Sequence, residues 1–317
     1  MSKILLQEAN PYGTRVATVE ADGRTLYLYV SPPEDLPGDM HAVWVRNLLA
    51  APADSDREAM QAGTAPLLKA AACDHPDGLD APTRDDLDLV WFSEGTGVVL
   101  YINGEVEALI PPWSGIDGLQ GYARRAKSQD VGTLPLPDSA QGLHDRLVEN
   151  MDFWTSRSSE GHWEGYRDRL LAHYEATFGK HTTYYAVTDR EYPPLAVVEF
   201  EVEDGFFYAS LGMSNQNMPG VEGKTGGSEP FKLMRAELFS YSAEKLDWLP
   251  GLIGRMAIWP WLSGTYFDHG HTYESGIDAA RSDFILSHEF GRLGLPQPAP
   301  LTLDARYPVN RLLALPI

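Results

Sequence analysis

From Thr14 to Val30 the apolar positions alternate around an Asp-Gly pair: Val16 and Val19 precede Asp22-Gly23, and Leu26, Leu28 and Val30 follow, interleaved with Tyr27 and Tyr29. A period of two reads as half-buried strand, and Asp-Gly is a strong two-residue hairpin signal. A Pro-rich loop (Pro32, Pro33, Pro37) leads to the apolar run Val43, Trp44, Val45. Residues 54 to 72 predict a helix interrupted near Gly63 and Pro66. A second hairpin is predicted from Val98 to Ile102, through Asn103-Gly104, to Val106 to Ile110, where Pro111-Pro112 stops it. This half reads as α+β and rich in sheet.

The segment Ser128 to Gly142 has turn composition and no periodicity, which places a domain boundary at residue 135. Two domains are therefore expected, 1–135 and 136–317. Beyond the boundary Trp163, Tyr166, Leu170, Tyr174 and Phe178 recur at helical spacing before Gly179, a C-cap position. Strands are expected at Leu195 to Val202, Phe206 to Leu211 (after the Asp204-Gly205 turn), Phe231 to Tyr241, Phe284 to Ser287 and Leu312 to Leu315. A helix is expected from Ala243 to Ala257, and Gly212 to Pro230 reads as a polar connector.

Composition narrows the function. The 317 residues carry 25 Lys+Arg against 45 Asp+Glu, a net charge of −20, with a pI near 4.7. Phosphate neutralisation needs clustered cations, so general nucleic-acid binding is disfavoured, and anionic membrane surfaces likewise. A cationic protein is the partner such a field would steer. The single cysteine, Cys73, excludes an intramolecular disulfide and a thiolate zinc cage. The run Ile4, Leu5, Leu6 is too short for a signal peptide's apolar region, and a cytoplasmic protein is expected.

Four motifs bear on chemistry. Gly220-Val221-Glu222-Gly223-Lys224-Thr225 ends like a phosphate-binding P-loop, but Met218 stands where the first glycine belongs, and Gly226, Gly227, Ser228 and Pro230 leave no room for the helix that must follow. Gly212-Met213-Ser214-Asn215-Gln216 follows a strand and has four of the five residues of a nucleophile elbow, with Gln216 in place of the closing glycine. In Asp268-His269-Gly270-His271-Thr272 two imidazoles and a carboxylate lie within four residues, and His-x-His on a strand would point both rings to one face. Neither His288-Glu289 nor Cys73-Asp74-His75 has ligand spacing to that pair. Asp74, Asp77, Asp80, Asp85, Asp86 and Asp88 lack the pattern of a calcium loop and read as a solvated acidic face.

Several segments of the second half resemble the suppressor of fused (SUFU) domain: YRDRLLAHYEATFG (Tyr166 to Gly179), YASLGMSNQNM (Tyr208 to Met218), RAELFSY (Arg235 to Tyr241), HGHT (His269 to Thr272) and VNRLLALPI (Val309 to Ile317). In the first half, Trp44 to Leu48 and IPPWSGIDGLQGY (Ile110 to Tyr122) look like the extra domain that precedes this module in bacterial members. The resemblance implies an α/β module, a mixed sheet flanked by helices, that binds proteins without catalysis. For a bacterial member the resemblance implies a role among immunity proteins that neutralise toxins. Read with the charge, this gives a non-catalytic binding module, without metal or cofactor, that sequesters a basic protein such as a toxin domain. The contacts expected are Asp85, Asp86 and Asp88, Ser214 and Asn215 in the loop to Glu229, and Asp268, His269 and His271. The competing reading is an enzyme: a hydrolase on Ser214 with Asp268 and His271, or a metal site on His269 and His271.

Overall fold

The computed structural model describes residues 2–136, 141–187, 192–225, 230–276, 283–301 and 307–316. It divides into two compact units, Met1–Trp154 and Thr155–Ile317.

The first unit opens with an antiparallel sheet in sequence order: β1 (Lys3–Ala9), β2 (Val16–Ala21), β3 (Thr25–Ser31) and β4 (His41–Asn47). The Asp-Gly signal is realised between β2 and β3, where the Asp22 carboxylate accepts the backbone N–H of Arg24 and of Thr25, each at 2.8 Å. Of the helix expected across 54–72 only α1 (Arg57–Gln61) and a 3-10 turn at Ala70–Ala72 form, because Gly63 turns left-handed (φ 68°) soon after α1 and Pro66 follows.

A second sheet has the order β5 (Leu87–Trp91), β6 (Val98–Ile102), β7 (Glu105–Ile110), β8 (Gly121–Ala123), β9 (Thr133–Pro135). Asn103 (φ 52°) and Gly104 (φ 78°) form the β6–β7 turn as that dipeptide predicts, since both central residues of such a turn need positive φ. The two sheets share one core, with Leu28, Val43 and Trp44 from the first packed among Leu100, Ala108 and Ile110 from the second.

The boundary expected at 135 lies instead after Trp154. The helix α2 (Gln141–Arg157) begins within the last two residues of the turn-rich segment, whose residues 137–140 lie outside the described set, and most of it belongs to the first unit. Arg146 pairs with Glu94 (2.8 Å), Leu147 packs on the Phe92, Val99 and Leu109 cluster, Asn150 accepts the Ser93 N–H (3.0 Å), and the Trp154 indole donates to the Trp91 carbonyl (2.8 Å).

The second unit is built on a seven-stranded mixed sheet. After α3 (His162–Phe178) come β10 (Thr183–Ala186), β11 (Ala196–Val202), β12 (Gly205–Leu211), α4 (Val221–Thr225), β13 (Arg235–Ser242), α5 (Leu249–Ser263), β14 (Thr272–Glu274), β15 (Asp283–Ser287) and β16 (Val309–Pro316). The sheet order is β10-β11-β12-β13-β16-β15-β14, with β13–β16 the parallel pair. The aromatic stripe expected of α3 is buried against Phe200, Phe207 and Phe239 of the sheet. The helix expected at 243–257 is shifted to 249–263. Pro250 suits its first turn, where a missing N–H costs nothing, and Gly264 (φ 67°) caps its end. The whole is a mixed α/β protein.

Candidate functional site

The acidic stretch of the first unit is strapped to the end of β4. Leu79 N–H donates to the Asn47 carbonyl (2.9 Å), and Ala51 N–H donates to that of Pro76 (2.7 Å). This displays Asp77, Asp80, Asp85 and Asp88 to solvent, and none of the four carboxylates has a cation partner among the described residues. Asp74 differs, lying 3.6 Å from Arg125. Asp86 also differs. It accepts the Thr83 N–H and hydroxyl, both at 2.8 Å, and these bonds hold its carboxyl below the usual range while they cap the 3-10 turn Arg84–Asp86. Asp88 stands on β5, an edge strand whose outward backbone is partly occupied, because Arg84 donates to the Leu87 carbonyl (3.1 Å) and Trp154 to that of Trp91.

Ser214 and Asn215, expected as partner contacts, are buried in this structure at 0% and 1% exposure, so no partner docking on the closed surface reaches their side chains. Read in the sequence as a polar connector, the segment from Met213 to Pro219 is core. The turn out of β12 starts at Gly212 (φ 108°), where a Cβ would meet the Pro194 carbonyl at 2.5 Å and the Trp163 ring at 2.7 Å, so only glycine fits. The 3-10 turn Met213–Asn215 then drops Ser214 onto Glu237 of β13. One Glu237 oxygen accepts the Gly212 N–H (3.1 Å), the Ser214 N–H (2.9 Å) and the Ser214 hydroxyl (2.6 Å), while the other accepts the Ser210 hydroxyl. Tyr166 of α3 donates to the Ser214 oxygen at 2.6 Å, since the serine's own proton is committed to Glu237. Burial pushes the Glu237 carboxyl up to about 7, outweighing its donors.

This overturns the hydrolase assembly. Ser214 is engaged by Glu237 and Tyr166, whereas His271 points its Nδ1 at the Tyr266 carbonyl (3.3 Å) and sets its ring edge-on to Tyr266. Histidine does lie near the turn, but His162 addresses Asn215 (3.2 Å).

The Asp268 to His271 segment is a turn closed by His271 N–H to the Asp268 carbonyl (3.2 Å), so the two rings do not share a strand face. The exposed His269 instead stacks on His288, with centroids 5.5 Å apart and an interplanar angle of 16°, and accepts the His288 backbone N–H at 3.3 Å. Asp268 lies 3.4 Å from His288 Nε2. His288, set aside on sequence spacing, is thus the residue that joins Asp268 and His269. Among the described residues no group of three or more His, Cys, Asp or Glu is placed to hold a metal.

The P-loop-like stretch forms α4, a five-residue helix anchored by buried Val221; the run of turn residues after it, 226–229, lies outside the described set, as does that end of the expected contact loop. Glu237 itself escaped the sequence reading. Its signal was a lone carboxylate in the otherwise mostly apolar strand Arg235 to Tyr241. No helix among the described residues is long and apolar enough to cross a membrane.

No protein-family model matches this sequence, and no curated protein does. Among solved structures the chain is similar to a SUFU (suppressor of fused protein) homologue from Neisseria gonorrhoeae FA 1090, at 16% identity and a TM-score of 0.36, over 49% of this chain and 78% of that one.

Proposed function

We propose that the chain is a protein-binding module that captures a basic partner through the acidic strap of its first unit, and that it acts by covering that partner. The observation that carries this reading is the display of Asp77, Asp80, Asp85 and Asp88 without neutralising cations among the described residues, on a stretch fixed to the sheet by backbone bonds. The charge is also uneven: residues 1–154 hold 24 Asp+Glu against 11 Lys+Arg, and residues 155–317 hold 21 against 14. Such a field raises the encounter rate with a cation-rich surface and is screened by salt. Sequestration of a toxin domain, as in the immunity proteins of the family that the sequence resembles, is the specific form proposed.

The test is capture with the tagged chain from its own cells at low and high salt, followed by association kinetics with the protein recovered. A basic protein is expected, and D85N/D86N/D88N should slow its association severalfold at low salt and flatten the salt dependence. Recovery of nothing at either salt, or equal on-rates for the two chains across ionic strength, overturns the reading.

A further inference from the structure

Glu237 sits wholly inside the second unit, and among the described residues its hydrogen-bond partners are two backbone N–H groups and the hydroxyls of Ser210 and Ser214, none of them a cation. The charged and titratable groups around it are turned elsewhere. Arg157, at the end of α2, donates to the Asn215 carbonyl (2.6 Å). Arg235, on the same strand, donates to Asn217 (2.9 Å) and lies over the Tyr307 ring, while Arg311, the register partner of Glu237 on β16, donates to the Pro298 carbonyl. His162 addresses Asn215, Tyr166 reaches Glu237 only through Ser214, and the Tyr174 hydroxyl is buried without a hydrogen-bond partner. Among the described residues, every hydrogen bond that an ionised carboxylate would accept here comes from a neutral donor.

The neutral acid fits the same site. A proton on the Ser210-facing oxygen reverses that one bond, because the Ser210 oxygen has a second lone pair beyond the one that takes the Leu238 N–H (2.8 Å). The other oxygen keeps its three donors. Meanwhile the turn that Glu237 holds is imperfectly satisfied: Asn215 Nδ2 and Gln216 Oε1 are buried with no partner among the described residues, and opening of the turn would hydrate both.

We propose that Glu237 is a proton-operated latch: the neutral acid holds the turn Gly212–Asn217 in the core, and loss of its proton favours release of that turn to solvent. The closed form keeps its proton up to about pH 7, whereas a hydrated glutamate releases it near 4.5. Linkage then raises the population of the open form by as much as tenfold per pH unit between those values and levels it off above them. Opening brings Ser214 and Asn215 to the surface. The latch does not depend on the partner proposed above.

Amide hydrogen exchange on the full chain, corrected for intrinsic rates, tests this. Protection of residues 213–218 should lie below that of β11 at each pH and fall on the order of a hundredfold from pH 5 to pH 8, and Glu237→Gln should abolish that fall. Equal protection at both pH values, or a dependence that survives Glu237→Gln, overturns the latch. Should that variant not fold, infrared spectra of wild-type chain carrying labelled glutamate decide: one protonated glutamate is expected at pH 6, titrating together with the loss of protection, and its absence overturns the proposal.

Discussion

Asp56 of the first unit and Glu237 of the second each accept hydrogen bonds from two backbone amides and hold a turn in place, yet they stand on opposite sides of the ordinary carboxylate range. Burial pushes Asp56 up, but the Leu67 N–H (3.2 Å), the Arg24 guanidinium and the Ala59 N–H (3.4 Å) outweigh it, so the group lies below its usual value. Glu237 has four donors against three and is nonetheless raised, because it is fully buried and none of these donors carries charge. Hydrogen bonds alone do not offset the removal of a carboxylate from water, while a guanidinium at a partly wetted site does. The first unit uses ionised acids; the second uses one that gives up its charge.

The largest effect should follow from Glu237→Leu. It strands the N–H groups of Gly212 and Ser214 and two serine hydroxyls, at roughly 1–3 kcal/mol for each buried group left unpaired, so a loss of about 4 kcal/mol or more is expected at pH 6. Urea unfolding followed by tryptophan fluorescence measures it. A loss below about 1 kcal/mol would mean that the network is ornamental to stability.

Next in size is the pH dependence. Between about 4.5 and 7 the folded chain holds a proton on Glu237 that the unfolded chain has released, so the stabilisation from this group is complete below about pH 4.5 and is lost as pH rises through about 7. Relative to Glu237→Gln, the wild-type chain should therefore weaken by up to about 3 kcal/mol from pH 4.5 to 8. Parallel stability curves for the two chains across that range would place the raised acidity elsewhere.

Much of the fold follows from local chemistry. Asp22-Gly23, Asn103-Gly104 and Asp204-Gly205 each make the turn that their backbone freedom dictates, and the α3 stripe packs as its spacing says. What escaped depends on distant partners. Nothing near β5 announces a strand, because Asp85, Asp86 and Asp88 mask Leu87, Leu89 and Trp91, and α2 joins the first unit through Trp154 and Asn150, whose partners lie more than fifty residues earlier. The same limit hid the candidate site. Ser214 reads as surface because serines in loops usually are, and only the arrival of Glu237 from β13 and Tyr166 from α3 makes it core. His269 likewise takes its neighbour from His288, which reaches it through the pairing of β14 with β15 and the backbone bonds of Gly270 and His271 to Leu286.

Asp56→Asn tests the other side of the comparison with a smaller effect. The neutral amide keeps one acceptor oxygen but loses the charge that draws Arg24, and about 1 kcal/mol should be lost at pH 7. The sign of its pH dependence is opposite to that of Glu237. A carboxyl held below its unfolded value stabilises above that value and ceases to do so as pH falls through the folded one, so the difference between Asp56→Asn and wild type should vanish in acid. A difference that persists at pH 2 would assign the effect to packing instead of charge.

The smallest effect on stability, and the sharpest separation of the two kinds of acid, should come from D85N/D88N. Both carboxylates are exposed and bond to nothing among the described residues, so the melting temperature should not move. Their charge still adds to the field outside the first unit, and a field acts on the rate of encounter without any fixed contact. The association rate with a cationic partner should therefore fall at low ionic strength and match wild type once the Debye length shrinks to roughly 3 Å near 1 M salt. A change in dissociation rate in place of association rate would mean that these aspartates touch the partner directly, and a lowered melting temperature would mean that they belong, like Asp86, to the scaffold of their own turn.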